Sequence, residues 1–373
     1  MNLRKTISII SVLTFLFSTA PSANSLSVST TFKKLAKSPV LAKPGIIVFD
    51  PMTQAEIYAD LPEVPRAPAS VLKLISATSA ITAFGPDKVF HTTINSTDDP
   101  DVFILQGERD PWLTTSSRDA KKFNRALSTK LINAIAKNRN GYSGLKIKFY
   151  GLFDADVKNL RTFYGKKIKF ERISKPQVVE GQEPTEIARI TSPTLREILE
   201  FTLLWSDNVL ADRLARNAAV AMGYSRDDAS LNLAFEETLK LLDVDSTGLK
   251  VFDGSGLSHG NRVSARTITE LLLKIRTEPQ LQAIYDGLPV AGKSGTLKKR
   301  FHKYGAAAKG LVKAKTGWIN TSVTLAGYVE AGEGEYIFVV LANHVKPTEH
   351  SRDEARKVID KMLATIAKPI AKA

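Results

Sequence analysis

The stretch KAKTGWINTSVTLAGYVE, residues 313–330, decides the fold of this chain. It opens on a Lys-Thr-Gly triad, Lys315-Thr316-Gly317, and continues into an apolar segment, Ser322–Glu330, whose length suits a β-strand. The turn sequence Ala331-Gly332-Glu333-Gly334 separates this segment from a second apolar one, Glu335–Asn343, and this spacing predicts a hairpin. We therefore expect the triad to lie on a sheet edge that faces a cleft.

A second triad of similar composition, Lys293-Ser294-Gly295, precedes the first. Either triad could place a cation, a hydroxyl and a closely approaching backbone at an acyl-transfer site. The earlier triad leads into Leu297–Phe301, which shows no apolar alternation and precedes no strand. Order and context therefore favour the triad that begins at Lys315.

The rest of the chain predicts strands at both ends with helices between them. Gly45–Asp60 has the pattern of a hairpin. Helical patterns follow, at Ser70–Phe84, Leu195–Trp205, Val209–Met222, Leu231–Leu242 and Arg352–Ile366. This order indicates an α/β (α+β) fold, in which one sheet assembled from both termini carries helices on its faces. Short strands broken by polar segments indicate an inserted smaller domain at 90–189, within a catalytic domain of 24–89 and 190–373.

Composition narrows the classes of function. The chain has 373 residues, of which 43% are hydrophobic and 24% charged, an ordinary globular balance with room for a core and a second module. It has no Cys and only five scattered His, so we expect neither disulfides nor a metal site. The net charge is +14, but the basic residues are not interleaved with aromatic residues as they are in proteins that bind single-stranded nucleic acids. We interpret it as a solvated surface that an anionic cell envelope could attract.

The amino terminus has the pattern of an export signal. Basic Arg4 and Lys5 precede the apolar run Ile7–Phe17, which is too short for a comfortable membrane span, and small residues follow up to Ala23. We expect a signal peptide at 1–23 and a mature protein in the periplasm or on the envelope exterior. An uncleaved anchor is the alternative.

The tetrad Ser70-Val71-Leu72-Lys73 supplies a candidate nucleophile and base. A helical spacing of three puts hydroxyl and amine on one face, where a desolvated amine can take the serine proton. Ser143-Gly144-Leu145-Lys146 fits the same pattern, but it leads into an alternating strand in which residues three apart point to opposite faces. We therefore favour Ser70 and Lys73.

Ser206-Asp207-Asn208 lies between two helical patterns, where its side chains can project from a tight connection. A hydroxyl there can relay a proton to a leaving amine, and the Asn amide can hold a peptide-like substrate. The alternative is that Ser206 is only a helix N-cap. Ser230-Leu231-Asn232 has a similar pattern, but Asp227–Ser230 has the composition of an N-cap.

In the order Ser-x-x-Lys, Ser-x-Asn and Lys-Thr-Gly, these motifs resemble the signature set of penicillin-binding proteins and serine β-lactamases. The chain resembles class C, type-4 low-molecular-mass penicillin-binding proteins, the D-alanyl-D-alanine carboxypeptidase/endopeptidase family. Other stretches that resemble this family are Pro68-Ala69-Ser70, Gly107 with Asp110-Pro111, Asp253–Ser258 with Asn261-Arg262-Val263, and Leu288–Gly292 with Gly295-Thr296-Leu297. The resemblance implies the serine β-lactamase/DD-peptidase fold, with an antiparallel sheet flanked by helices.

The resemblance also implies roles for the first two motifs. Ser70 would attack the carbonyl of the penultimate D-Ala and form an acyl-enzyme, with Lys73 accepting its proton. Ser206 would relay a proton to the leaving D-Ala, and Asn208 would hold the substrate amide. The implied substrates are peptidoglycan stem peptides ending in D-Ala-D-Ala, and β-lactams would acylate the same serine.

For the third motif, the resemblance implies that Lys315 and Thr316 bind the terminal carboxylate. Gly317 and Trp318 belong to the same substrate-binding strand, and the backbone N–H groups of Ser70 and Trp318 would form the oxyanion hole. No metal or organic cofactor is implied. Trp318 and the segment Phe201–Trp205 are bulkier than the family pattern leads us to expect, which leaves the substrate preference open.

Two alternatives remain at this point. A serine β-lactamase shares all three motifs, but no Glu-x-x-Leu-Asn element follows Ser206, and the insertion before Ser206 is long. A non-catalytic envelope protein on the same fold is the other alternative, which the three intact motifs disfavour. The resemblance does not distinguish carboxypeptidase action from endopeptidase action.

Overall fold

The computed structural model describes residues 27–139, 141–175 and 184–370, so the signal peptide predicted at 1–23 lies outside the described residues. Twelve strands occur in the described part, named in chain order: β1 Gly45–Asp50, β2 Ala55–Asp60, β3 His91–Ser96, β4 Val102–Gly107, β5 Leu113–Thr114, β6 Ala126–Leu127, β7 Leu145–Tyr150, β8 Ile168–Arg172, β9 Glu186–Thr191, β10 Val312–Ile319, β11 Ser322–Glu330 and β12 Glu335–Ala342.

Eleven α-helices occur in the same part of the chain: α1 Thr30–Ala36, α2 Lys73–Phe84, α3 Ser117–Phe123, α4 Thr129–Arg139, α5 Asp154–Tyr164, α6 Leu195–Trp205, α7 Asn208–Ala221, α8 Asp228–Leu241, α9 Ala265–Thr277, α10 Gln282–Asp286 and α11 Glu349–Ala364. A 3-10 turn over Ala69–Leu72 leads directly into α2. None of the described helices combines the length and apolar character that a membrane span requires.

The main sheet is antiparallel throughout and joins the two ends of the chain. Its strand order is β10-β11-β12-β1-β2, with β1 paired to β12 from Gly45 opposite Leu341 to Phe49 opposite Ile337. The predicted hairpins, β1 with β2 and β11 with β12, are confirmed. Strand β10, which carries the Lys315 triad, lies at one edge as expected.

Both faces of the sheet are buried at its three inner strands, β1, β11 and β12, which explains why these strands are almost continuously apolar. In β12, Ile337 and Val339 pack into the core under helices α2, α6, α7, α8 and α9. Their neighbours Phe338 and Val340 pack into a second core that includes residues of α1 and α11. Because successive side chains in a strand point to opposite faces, an apolar residue is needed at every position. The predicted antiparallel sheet flanked by helices is confirmed.

A second five-stranded sheet is built wholly from residues 91–191, with strand order β8-β7-β4-β3-β9. Pairs β4–β7 and β7–β8 are parallel, and the connections between these strands contain helices α3, α4 and α5. The sequence predicts short strands separated by polar segments; this prediction is wrong about the connections, because they contain helices. Parallel neighbouring strands need a long connection, which is usually helical. The strongly polar composition of these helices conceals the apolar stripe that would have predicted them.

Candidate active site

The candidate nucleophile Ser70 lies in the 3-10 turn that precedes α2, and Lys73 is the first residue of α2. Ala69 has φ of 47°, in the left-handed region that residues with a side chain rarely adopt. A Cβ at Gly256 would lie 1.9 Å from the carbonyl oxygen of Ala69, so only glycine permits this approach. The backbone is therefore held in a strained bend immediately before the serine hydroxyl.

Two polar side chains, one in β11 and one directly after β12, fix the segment before Ser70. The hydroxyl of Thr324 in β11 donates to the carbonyl of Pro68 (2.8 Å). The side chain of Asn343 accepts from the backbone N–H of Ala67 (2.7 Å) and donates to the carbonyl of the same residue (3.1 Å). Buried bonds of this kind leave the backbone little freedom, so the sheet determines where Ser70 is presented.

The Lys73 amine lies at the centre of the site. Its Nζ is 2.9 Å from Ser70 Oγ, 2.7 Å from Asn208 Oδ1 and 2.6 Å from the carbonyl oxygen of Ser255. The side chain is only 1% exposed. Burial lowers the pKa of Lys73 to about 7, against the opposing charges of Asp253 and Asp207. The amine can therefore be uncharged near neutral pH, which general-base chemistry requires.

Ser206 and Asn208 come from the tight connection between α6 and α7. Ser206 ends α6 with φ of 57°, which turns the chain sharply and projects its hydroxyl into the cleft. Asp207 is the N-cap of α7 and accepts from the backbone N–H of Leu210 (2.9 Å). The alternative that Ser206 is the N-cap is wrong, because the neighbouring carboxylate fills that position.

Lys315 reaches the other side of the cleft from edge strand β10. Its Nζ donates to Ser206 Oγ (2.9 Å) and to the carbonyl of Thr316 (2.8 Å), and the side chain is wholly buried. Burial, together with the nearby charge of Lys73, lowers the pKa of Lys315. Two lysines therefore share the cleft, each beside a serine hydroxyl.

The rest of the Lys-Thr-Gly triad lines the open side of the cleft. The Thr316 hydroxyl donates to the hydroxyl of Thr296 (2.8 Å), a residue for which the sequence predicted no site role. Gly317 has no space for a side chain, since a Cβ there would lie 2.2 Å from Thr324 Oγ1 and 2.8 Å from the backbone N of Ser70. This glycine therefore lets β10 approach the nucleophile.

The loop around Asp253 was also missed as part of the site. Asp253 Oδ1 accepts from the backbone N–H groups of Ser255 and Gly256, each at 2.7 Å. Its Oδ2 accepts from the N–H of Ser258 (2.7 Å) and from the Asn261 amide (3.0 Å). Burial opposes ionisation, but these bonds outweigh it and lower the pKa of Asp253. The carboxylate thus shapes the loop that presents the Ser255 carbonyl to Lys73.

The other sequence matches lie away from this cluster. Lys293 is in a turn before the 3-10 segment Gly295–Leu297, and Gly295 is constrained, with φ of 49° and Leu204 packed against it. Lys146 lies in β7 of the second sheet. Asp227 is the N-cap of α8 and accepts from the N–H of Ser230 (2.8 Å). Of the two sequence matches to each motif, the structure brings together the tetrad at Ser70, the motif at Ser206 and the triad at Lys315.

A cleft of about 710 Å³ opens over the cluster. Six of the eight predicted site residues line it, while Lys73 and Lys315 lie buried beneath; the six are Ser70, Ser206, Asn208, Thr316, Gly317 and Trp318. A volume in this range suits a peptide-sized ligand. The arrangement provides a nucleophile, a lysine amine of lowered pKa beside it, and a second serine and lysine opposite, which together can support acyl transfer.

Comparison with known proteins finds similar sequences among carboxypeptidases. The model of the D-Ala-D-Ala carboxypeptidase 3 (S13) family matches residues 29–139 and 165–366. Carboxypeptidase DacB of Mycolicibacterium smegmatis is 27% identical over 387 aligned positions, which cover 89% of this chain and 83% of the relative. A D-alanyl-D-alanine carboxypeptidase of an Actinomadura species is 40% identical over 170 positions, covering 44% of this chain and 31% of that protein.

Solved structures share the fold at low sequence identity. Penicillin-binding protein 4 of Haemophilus influenzae superposes with a TM-score of 0.69 at 16% identity, over 85% of this chain and 94% of that one. A predatory endopeptidase of Bdellovibrio bacteriovorus, acylated by penicillin G, superposes with a TM-score of 0.64 at 18% identity, over 88% and 94% of the two chains.

Proposed function

The chain belongs to the D-Ala-D-Ala carboxypeptidase 3 (S13) family, and from this membership we propose a residue-level mechanism for it as a serine DD-peptidase. The substrate is the D-Ala-D-Ala end of a peptidoglycan stem peptide. Ser70 Oγ attacks the carbonyl carbon of the penultimate residue, the amide bond breaks, and the terminal amine leaves. Water then attacks the acyl-enzyme and releases the shortened peptide.

The contacts of Lys73 carry this proposal. A neutral lysine amine has two N–H groups and one lone pair. Two of its three neighbours, Asn208 Oδ1 and the Ser255 carbonyl, can only accept, so they take the two N–H groups. The lone pair then remains for the Ser70 hydroxyl at 2.9 Å, whose proton it accepts during attack.

Ser206 and Lys315 serve the second half of the acylation step. The leaving amine needs a proton, and the Ser206 hydroxyl faces the same cleft as Ser70. Lys315 donates a hydrogen bond to Ser206 Oγ at 2.9 Å, so the Ser206 proton is free to point toward the leaving nitrogen. In this mechanism the proton passes from Ser70 through Lys73 to the amine by way of Ser206.

The remaining site residues bind the substrate. Asn208 holds the substrate amide, and Thr316, beside Lys315, binds the terminal carboxylate. Gly317 allows the strand to approach, so that the N–H groups of Ser70 and Trp318 stabilise the oxyanion. Donors preorganised in this way contribute about 3 to 4 kcal/mol in acyl-transfer enzymes. Because β-lactams imitate the D-Ala-D-Ala terminus, we expect them to acylate Ser70.

Incubation with a fluorescent penicillin tests the nucleophile. The wild-type protein should carry one label, and Ser70→Ala should carry none while its circular dichroism spectrum is unchanged. Ser143→Ala is the matched control and should be labelled like wild type. A label that persists on Ser70→Ala at a single site would disprove the assignment. Rapid turnover of nitrocefin would instead favour the β-lactamase alternative.

We also propose the division into domains and the location. The separate sheet and hydrophobic core within residues 91–191 support an inserted domain at 90–189, within a catalytic domain of 24–89 and 190–373. The amino-terminal pattern and the substrate support export followed by cleavage near residue 23, since peptidoglycan lies outside the cytoplasmic membrane. Cell fractionation with mass spectrometry of the mature amino terminus tests the second point.

A further inference from the structure

A hollow of about 630 Å³ lies at one end of the second sheet. Its lining includes Gly107, Tyr150 and Arg172, the last residues of the parallel strands β4, β7 and β8. In sheets with parallel strands and helical connections, ligands bind beyond this end of the strands. Within the described part of the chain, the hollow shares no lining residue with the cleft that contains Ser70. The mechanism above therefore gives it no role.

The hollow lies on the face of the second sheet that helices α4 and α5 leave uncovered. Leu105 and Phe149 point into the core that these helices cover. Their neighbours Gln106 and Tyr150 point to the opposite face, because successive side chains in a strand alternate. Polar side chains from four adjacent strands line the hollow in one row across the sheet, which consists of Arg189, Thr93, Gln106 and Tyr150.

Two glycines bring the ends of β4 and β7 together at the hollow. Gly151 has φ of 67°, and a Cβ there would lie 1.8 Å from the carbonyl oxygen of Gly107. The carbonyl of Gly151 accepts from the backbone N–H of Arg109 (2.7 Å), whose own carbonyl accepts from the Asn217 amide in α7 (2.9 Å). Arg109 has φ of 54°, which a residue with a side chain adopts only when its surroundings hold it there. The backbone that presents the Arg109 side chain is therefore fixed.

Several donors that line the hollow have no partner in the described part of the chain. Only the backbone of Arg109 forms hydrogen bonds there, so its guanidinium is unused. Thr93 Oγ1 accepts from the Asn95 amide (3.0 Å), which leaves the Thr93 proton free. Gln106 Oε1 accepts from the Tyr150 hydroxyl, which leaves the N–H₂ group of Gln106 free. The hollow therefore offers a cation and two neutral donors to a ligand.

The charges around the hollow leave it positive. Its lining carries four cations and one carboxylate, which are Arg109, Arg172, Arg189, Lys175 and Glu108. Glu108 is neutralised by Lys88, which lies outside the lining, at 2.7 Å. Arg172 and Arg189 are each paired with an exposed carboxylate outside the lining. Exposed pairs are weak, so these two arginines still contribute positive potential, and Arg109 is not paired at all among the described residues.

We propose that this hollow is a second, non-catalytic site, which binds the carboxylate end of a peptidoglycan stem peptide. The choice of ligand rests on the proposed function, since a carboxypeptidase leaves a new carboxylate on its polymer at each cleavage. A guanidinium can form two parallel hydrogen bonds with a carboxylate, and the donors of Thr93 and Gln106 suit the peptide groups beside it. The volume of the hollow suits a ligand of several residues. Binding here keeps the protein on the wall while its cleft is empty.

Titration of the penicillin-acylated protein tests this site, because the acyl group blocks the cleft and leaves the hollow open. The probe is a purified disaccharide tetrapeptide with free carboxylates, and isothermal titration calorimetry measures its Kd. The acylated wild-type protein should bind one equivalent. Arg109→Gln should raise Kd about tenfold, as expected for the loss of a charge-assisted contact. The same probe with its carboxylates amidated should bind the wild-type protein about tenfold more weakly, a comparison that needs no variant.

Arg118→Gln is the matched control. Arg118 is an exposed arginine of α3 that forms no ion pair among the described residues, and it does not line the hollow. Its replacement removes the same charge from the same part of the chain, so Kd should stay at the wild-type value. A Kd raised equally by Arg118→Gln and Arg109→Gln would show a general effect of charge and would overturn the site.

The remaining outcomes separate the hollow from the mechanism. Mass spectrometry of each sample shows whether penicillin has acylated the protein. Acylated wild-type protein that does not bind the probe, or that binds the amidated probe equally well, would overturn the site and leave the mechanism standing. Protein that penicillin does not acylate would overturn the mechanism. The Kd values of wild type and Arg109→Gln would then still decide the hollow, and equal values would overturn it.

Discussion

Nζ of Lys315 lies 2.9 Å from Oγ of Ser206, although the two residues are 109 positions apart in the chain. Lys293 begins a triad of nearly the same composition, but its side chain has no such partner among the described residues and packs near Gly310. Two locally similar sequences therefore have different surroundings. Replacing each lysine by alanine should therefore have different effects on the rate of acylation.

Lys315→Ala should slow acylation by penicillin about a hundredfold or more, because Ser206 loses the amine that orients its proton. Lys293→Ala should acylate within about twofold of wild type, since exposed side chains away from a site have small effects. Stopped-flow measurement with a chromogenic β-lactam gives both rates. A loss as large for Lys293→Ala as for Lys315→Ala would reverse the assignment of the triads.

The rate of acylation should depend on pH through Lys73. Burial lowers the pKa of this amine to about 7, and only the neutral amine accepts the Ser70 proton. Below pH 7 the protonated fraction grows, so the rate should fall about tenfold per pH unit, and above pH 7 it should reach a plateau. Second-order acylation rates between pH 5 and pH 9 check this. A rate constant that does not change over that range would exclude Lys73 as the base.

Asp253→Asn should destabilise the fold and shift the pH profile. An Asn side chain places an N–H₂ group among the N–H donors that Asp253 now accepts from, which costs about 3 kcal/mol in unfolding free energy. The negative charge that raises the pKa of Lys73 is also lost, so the midpoint of the acylation profile should move to lower pH.

Asp227→Asn is the control for this change, because it replaces an exposed N-cap by a residue of equal capping strength. It should alter neither the unfolding midpoint in urea nor the pH profile. A variant Asp253→Asn as stable as Asp227→Asn would show that the hydrogen bonds to Asp253 do not hold the loop.

Gly317→Ala should slow acylation by penicillin while the core of the fold stays intact. Its Cβ would collide with Thr324 Oγ1 and press on the backbone N of Ser70, so β10 must move away from the nucleophile. A displacement of about 1 Å can reduce the rate about a hundredfold. Gly334→Ala, where the nearest atom is the flexible Met52 Sδ at 3.3 Å, should acylate normally. Equal rates for the two variants would contradict the role given to Gly317.

Much of the main sheet could be predicted because its signals are local. Strands β11 and β12 follow from their apolar runs and the Gly-rich turn between them, and helix α6 begins and ends at the residues its periodicity predicts. The helices of the inserted segment could not be predicted in the same way. Helices α4 and α5 there are as long as α6 but much more polar, so their apolar stripes are narrow and give a weaker signal.

The sequence alone determined which residue types could perform acyl transfer and the order in which they occur, since a motif depends only on neighbours in the chain. The tertiary structure decided which copies of each motif meet. Lys73 contacts Asn208 and the Ser255 carbonyl across 135 and 182 positions, and Thr316 contacts Thr296. Such contacts depend on how α2, α7 and edge strand β10 pack together. The burial that lowers the pKa of Lys73 and Lys315 exists only in that packed state, because desolvation requires surrounding atoms from the whole fold.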